Sequence, residues 1–182
     1  MKNKLIRAIT SSLGAAMLLC LAFEGAFSME KGKVEIFDTG TGKTVLVDKI
    51  VKSKEEWKKI LTPEQYEITT NEGTEQAFTC GFLTQKEKGM YKCIRCATDL
   101  FRTVAKFDSG TGWPSYTEPI SRLNIIEKPD HSFGMERTAV ECARCGAHLG
   151  HVFDDGPQPT GKRYCINGAA LQFIPDNPAK QK

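Results

Sequence analysis

The sequence is short of the features that most readily betray a function. Its 25 lysines and arginines nearly balance 22 aspartates and glutamates, leaving +3 over 182 residues, so it lacks the clustered basic face that nucleic acid requires. The apolar stretch at residues 13–23 (LGAAMLLCLAF) is too short to cross a bilayer. Gly42, Lys43 and Thr44 look like the end of a phosphate loop, but the earlier glycine of that motif would fall on Phe37 and no apolar helix follows. The length leaves room for one domain of about 150 residues plus an extension, which excludes a multidomain machine. With 40% hydrophobic and 26% charged residues, composition says only that the chain is an ordinary folded protein. What it has in excess is cysteine: seven, an odd count to divide among metal, disulfides, reactive thiols and bystanders.

One cysteine leaves with a leader. Lys2, Lys4 and Arg7 precede the apolar stretch, and Ala26, Phe27 and Ser28 bring small residues to a cleavage position, the layout of a bacterial secretory signal peptide over residues 1–28. Leu19 ahead of Cys20 is unlike a lipoprotein site. An uncleaved leader would instead tether the protein to the membrane. Cleavage takes the net charge from +3 to +1 by removing three positive charges and Glu24. The mature protein is expected in the periplasm, as a monomer without membrane insertion. There its six remaining thiols meet an oxidising compartment.

Local patterns predict a mainly β fold. Residues 34–37 and 45–47 flank turn chemistry and read as a hairpin, making 29–52 an N-terminal β extension. Ser53 with Glu56 and Thr62 with Gln65 both fit capping boxes, predicting helices over 54–60 and 63–69 with Trp57, Ile60, Leu61 and Tyr66 packing them onto the main domain. Short strands separated by Gly, Pro and Asp follow at 89–93, 100–104, 123–127, 138–142, 148–153, 163–167 and 171–174, the spacing of an antiparallel β domain spanning 53–176. Residues 177–182 read as a frayed tail.

Four cysteines form two matched pairs, Cys93-Ile-Arg-Cys96 and Cys142-Ala-Arg-Cys145, each ending a predicted strand and followed by a tight turn. Two such knuckles can present four thiolates tetrahedrally to a structural zinc ion, closing a loop of 45 intervening residues. Two structural disulfides are the competing use of the same thiols. A thioredoxin-like CxxC would open a helix, and attached haem needs histidine directly after the second cysteine, where Ala97 and Gly146 stand. Cys80 and Cys165 are left. Cys165 lies mid-strand with Arg163 and Asn167 two residues to either side, on the same face; a cation and an amide there would lower the thiol pKa and favour a nucleophile. A buried bystander is the alternative. His148 and His151, two of only three histidines, lie nearby with Asp154 and Asp155; they supply proton-transfer groups or, less economically, metal ligands. His131 sits in a polar loop and is expected to be exposed.

Three blocks then resemble one family. Residues 107–115 (FDSGTGWPS), the run from Cys142 through GAHLGHVFDDGP, and RYCIN at 163–167 are similar to the signatures of methionine sulfoxide reductase B, which returns the R epimer of methionine sulfoxide to methionine. The resemblance implies a β core of two antiparallel sheets stapled by a four-cysteine zinc. It makes Cys165 the nucleophile; His148, His151, Asp155, Arg163 and Asn167 its polar surround; and Trp113 and Phe153 the substrate-binding wall. Cys93, Cys96, Cys142 and Cys145 fall on the zinc positions. Oxidised protein or peptide methionine would be the substrate and a thioredoxin-like dithiol the reductant. Many members carry a second, resolving cysteine where this chain has Thr111, so that role is expected to pass to Cys80.

Overall fold

The computed structural model describes residues 32–176; the expected leader and tail lie outside the described residues. Strands β1 (Lys33–Asp38) and β2 (Lys43–Asp48) form the expected hairpin, with Ile36 opposite Val45. Helices α1 (Lys54–Ile60) and α2 (Pro63–Asn71) each start at a complete capping box, on Ser53 and Thr62. Two backbone N–H groups at each start are thereby satisfied, which sets both boundaries. Trp57 and Ile68 carry the burial of this pair, each only 2% exposed, and the Arg95 guanidinium lies 3.8 Å from the Trp57 ring centroid. Ile60 is exposed rather than packed, because α1 turns its buried side around Trp57.

The remaining strands are β3 (Gly89–Cys93), β4 (Asp99–Arg102), β5 (Lys106–Phe107), β6 (Ser115–Tyr116), β7 (Ile125–Asp130), β8 (Arg137–Cys142), β9 (His148–Phe153), β10 (Arg163–Ile166) and β11 (Leu171–Pro175). They build two antiparallel sheets, one in the order β5-β6-β10-β9-β8-β7 and a smaller one in the order β11-β3-β4. Two expected strands are trimmed by 3₁₀ turns. Thr103–Ala105 replaces the end of β4, and Arg122–Asn124, begun by the Ser121 side chain accepting from the Leu123 N–H, delays β7 to Ile125. β5 and β6 are two residues each and too short to leave a periodic pattern.

The core is aromatic where the sheets meet. Tyr91, Phe101, Tyr116 and Tyr164 are at most 1% exposed, Phe101 stacks on Tyr116 at 4.4 Å, and Tyr91 meets Tyr116 edge-on at 5.3 Å. The hairpin is joined to this core through Asn124. Its Oδ1 accepts from the Phe37 N–H at 2.7 Å, and its Nδ2 donates to the carbonyls of Phe37 (2.9 Å) and Asp99 (2.6 Å). Just beyond the hairpin, the Ile50 N–H donates to the Arg144 carbonyl at 2.9 Å, inside the second CxxC turn. The N-terminal extension is therefore bonded to segments adjoining both cysteine pairs.

Candidate active site and metal centre

Cys93 ends β3 and Cys142 ends β8, and each pair closes with the same backbone turn. Ala97 N–H donates to Cys93 O at 2.8 Å and Gly146 N–H to Cys142 O at 2.9 Å, with Ala97 and Gly146 both left-handed at φ 57° and 65°. Glycine adopts that conformation without cost, whereas an alanine there is strained by about 1 kcal/mol. The turns bring all four sulfurs within 4.8 Å of one another. Cys93 Sγ lies 3.6 Å from Cys145 Sγ, and Cys96 Sγ 3.5 Å from Cys142 Sγ. Tetrahedral thiolates at about 2.3 Å from a zinc ion would sit about 3.8 Å apart. These spacings, with all four sulfurs converging on one point rather than separating into two pairs, fit a closed metal centre.

The second site lies on β10. Cys165 pairs with His151 of β9 on one side and Ser115 of β6 on the other, placing sulfur and imidazole as direct cross-strand neighbours. A cavity of about 140 Å³ opens over them, walled by Trp113, Phe153, Arg137, Thr74 and Asn167. Strict alternation along β9 would send His148 and His151 to opposite faces. Instead a bulge at Leu149 shifts the β8 register, Gly150 opposing Val140 and His148 opposing Glu141, and the two rings meet edge-on at 5.3 Å. Gly150 is needed for the close approach of β9 to β10, since a Cβ there would sit 2.1 Å from the Cys165 carbonyl oxygen.

The electrostatics correct part of the sequence reading. Arg163 does bias Cys165 towards thiolate, as does the Thr111 hydroxyl hydrogen-bonded to it, but burial is the larger effect and holds the thiol above its ordinary pKa. Arg163 is itself engaged. Nε and Nη2 form a bidentate pair with Asp155 at 2.8 Å each, and its guanidinium lies 4.5 Å from the Phe153 ring centroid. Asp155 therefore acts on Arg163 and does not line the cavity. Asn167 was expected to offer its amide to the thiol. Its Nδ2 donates instead to Leu149 O at 3.1 Å, and its Oδ1 accepts from the Glu75 N–H at 3.1 Å. His148 is buried with neither ring nitrogen hydrogen-bonded, and burial, with His151 beside it, pushes its pKa down to about 4. His151 Nε2 meets Asp130 Oδ2 at 2.8 Å, and Arg137 Nη2 meets the same oxygen at 2.6 Å. Ser132, His151 and Arg137 together hold the Asp130 carboxyl well below the usual range. His131 is exposed, as expected.

Cys80 lies on the loop between α2 and β3, in contact with Gly168: a Cβ on Gly168 would fall 1.8 Å from the Cys80 sulfur. Burial raises its pKa. Sequence reasoning missed Glu75, Asp130 and Arg137. Asp130 and Arg137 do leave a trace, as opposite charges at paired positions closing the β7–β8 hairpin. Glu75 leaves none, being a lone acid in a loop until the fold buries it.

The chain is an antiparallel β scaffold with four clustered cysteines that form a candidate metal centre and a separate half-buried cysteine beside a histidine in an aromatic-walled cavity, an arrangement suited to thiol chemistry. The chain matches the SelR domain over residues 61–175. It is 52% identical over 132 residues to the peptide methionine sulfoxide reductase MsrB of Methanosarcina barkeri, covering 72% of this chain and 93% of that protein. Identity is 53% over 127 residues with the mitochondrial methionine-R-sulfoxide reductase B3 of Mus musculus, covering 70% of this chain and 50% of that one. With the chloroplastic peptide methionine sulfoxide reductase B1 of Arabidopsis thaliana it is 60% over 122 residues, covering 66% and 60%. The chain belongs to the SelR family of methionine sulfoxide reductases B, and is an oxidoreductase.

Proposed function

We propose that this protein reduces methionine (R)-S-oxide residues in other proteins, with Cys165 as nucleophile. The observation that carries this is the pairing of Cys165 with His151 beneath a cavity of about 140 Å³ walled by Trp113 and Phe153. That volume is below the usual range for whole small-molecule ligands and suits the methyl-sulfoxide end of a side chain. A sulfoxide becomes electrophilic at sulfur when its oxygen takes a proton. His151, fixed by Asp130, is the donor, because His148 with a pKa of about 4 is neutral at working pH and has no acidic proton to give. The Cys165 thiol gives its proton to solvent, Arg163 and Thr111 favouring the thiolate that forms against the opposing effect of burial, and this loss is balanced by the proton that His151 delivers to the sulfoxide oxygen.

In the reaction the sulfoxide S–O bond breaks, methionine sulfur gains two electrons, and Cys165 sulfur loses two and carries the oxygen as sulfenic acid. Cys80 then attacks that sulfur. An S–S bond forms, and the sulfenic oxygen leaves as water with the Cys80 proton. An exported thioredoxin-like dithiol protein returns both cysteines to thiols and becomes a disulfide itself. Zinc is the metal best suited to four thiolates at these spacings, and it would supply structure rather than chemistry. The leader over residues 1–28 supports export to the periplasm, where the mature protein acts as a monomer.

Cys165→Ser is expected to abolish sulfoxide consumption. Cys80→Ser is expected to keep dithiothreitol-supported turnover and lose thioredoxin-supported turnover by at least about tenfold. Peptide mapping of substrate-oxidised wild type should reveal a link between 80 and 165. Wild-type thioredoxin rates in Cys80→Ser, with no such link, would remove Cys80 from the cycle.

A further inference from the structure

Glu75 spends all its hydrogen-bonding atoms on the machinery around Cys165. It is 7% exposed, and its two carboxylate oxygens accept from consecutive N–H groups just beyond β10, Oε1 from Gly168 at 2.7 Å and Oε2 from Ala169 at 2.9 Å. Its own N–H donates to Asn167 Oδ1 at 3.1 Å, and its carbonyl accepts from Trp113 Nε1 at 3.1 Å. One residue thus ties the loop after α2 to the substrate wall, to Asn167 and to the turn that follows the nucleophile's strand. The charge it carries is buried at a cost, and the two backbone N–H bonds work against the rise in pKa that burial causes.

The same loop carries Cys80, five residues further on. Between the two, Phe78 is left-handed at φ 66° and its N–H donates to Gly112 O at 2.8 Å, so the loop is fastened again next to Trp113. Gly168 is approached from both ends of this segment. A Cβ there would meet Cys80 Sγ at 1.8 Å and Glu75 Oε1 at 3.4 Å. The carboxylate and the thiol therefore share one backbone site, three residues beyond Cys165.

We propose that Glu75 is the positioning residue that couples the two half-reactions, holding Trp113 and Asn167 around the substrate while its loop holds Cys80 ready beside the strand that carries the sulfenic acid. This rests on the reading that Cys165 attacks and Cys80 resolves. Glu75→Gln is the sparing test. An amide keeps the shape but offers one acceptor and one donor to two N–H donors, so one buried bond is lost and an NH₂ faces an N–H.

Three readouts are taken on metal-loaded full chain, for wild type, Glu75→Gln and Glu75→Asp. They are residue-resolved iodoacetamide labelling of Cys80 in reduced protein, KM and kcat for an R-sulfoxide peptide with dithiothreitol, and the rate of 80–165 disulfide formation after one turnover. In Glu75→Gln, Cys80 labelling is expected to rise, KM to rise and disulfide formation to fall, each about tenfold, as one lost buried hydrogen bond produces. Glu75→Asp, which keeps both acceptor oxygens, should restore part of each. Labelling, KM or disulfide formation within twofold of wild type in Glu75→Gln overturns the coupling. If wild type itself forms no 80–165 link, the resolving role fails on its own; faster Cys80 labelling with a raised KM would still support the positioning of loop and substrate wall by Glu75, and unchanged values would reject that too.

Discussion

At the residue scale, the site depends on groups held in states they would not adopt in water. His148 shows this most directly. Burial depresses its pKa to about 4 from 6.5, so the folded imidazole stays neutral while the unfolded one protonates. The stability this contributes is full above pH 6.5 and is lost as pH falls towards 4, where the unfolded chain binds the extra proton. Between pH 7 and pH 5 the loss amounts to about 2 kcal/mol. Urea unfolding at both pH values should register that difference in wild type and a smaller one in His148→Gln; equal slopes would mean the imidazole is not buried neutral. Cys165 itself was legible from its place between Arg163 and Asn167, and the four metal-site cysteines from their matched spacing. The direction of the Cys165 pKa was not, because charge along a strand is visible in sequence whereas desolvation depends on what the fold stacks above it. For the same reason Asn167 read as a free amide, although its partners Glu75 and Leu149 come from distant segments.

At the element scale, capping boxes and turn residues wrote most boundaries into the sequence. α1 starts at the box on Ser53, and β3 and β9 begin and end where alternation and flanking turns place them. What local patterns could not convey was the bulge at Leu149, which is set by the register with β8 and which brings the two histidines together. Nor could they show how the N-terminal hairpin docks. Asn124 is fully buried and makes three side-chain hydrogen bonds joining β1 to the core. Asn124→Ala would leave those backbone groups unpaired and should lower stability by about 3 kcal/mol. Hydrogen exchange of residues 33–38 should then accelerate well beyond that of β9. Unchanged protection there would show that the hairpin is held by other contacts, such as those of the buried Ile36.

At the scale of the whole molecule, two hairpins distant in sequence bring four thiols to one point, while Cys165 sits on another strand of the larger sheet. Closing a loop of 45 intervening residues is worth about 4 kcal/mol in chain entropy, so stripping the metal, or Cys93→Ala, should lower Tm by about 10 °C. Metal analysis of the purified protein should give one zinc per chain. A metal-free protein with the wild-type Tm would contradict a structural role. The six cysteines of the described residues thus divide by location: four in the cluster that could hold a metal, Cys165 lining the cavity, and Cys80 against Gly168.

The central claim is that the cavity over Cys165 reduces one epimer of a methionine sulfoxide. Separated R and S diastereomers of a methionine sulfoxide peptide, each incubated with the protein and dithiothreitol and followed by chromatography of the methionine product, test it most directly. The account predicts steady consumption of the R form, none of the S form, and none of either by Cys165→Ser. Failure to consume the R form, or equal consumption of both, would contradict it.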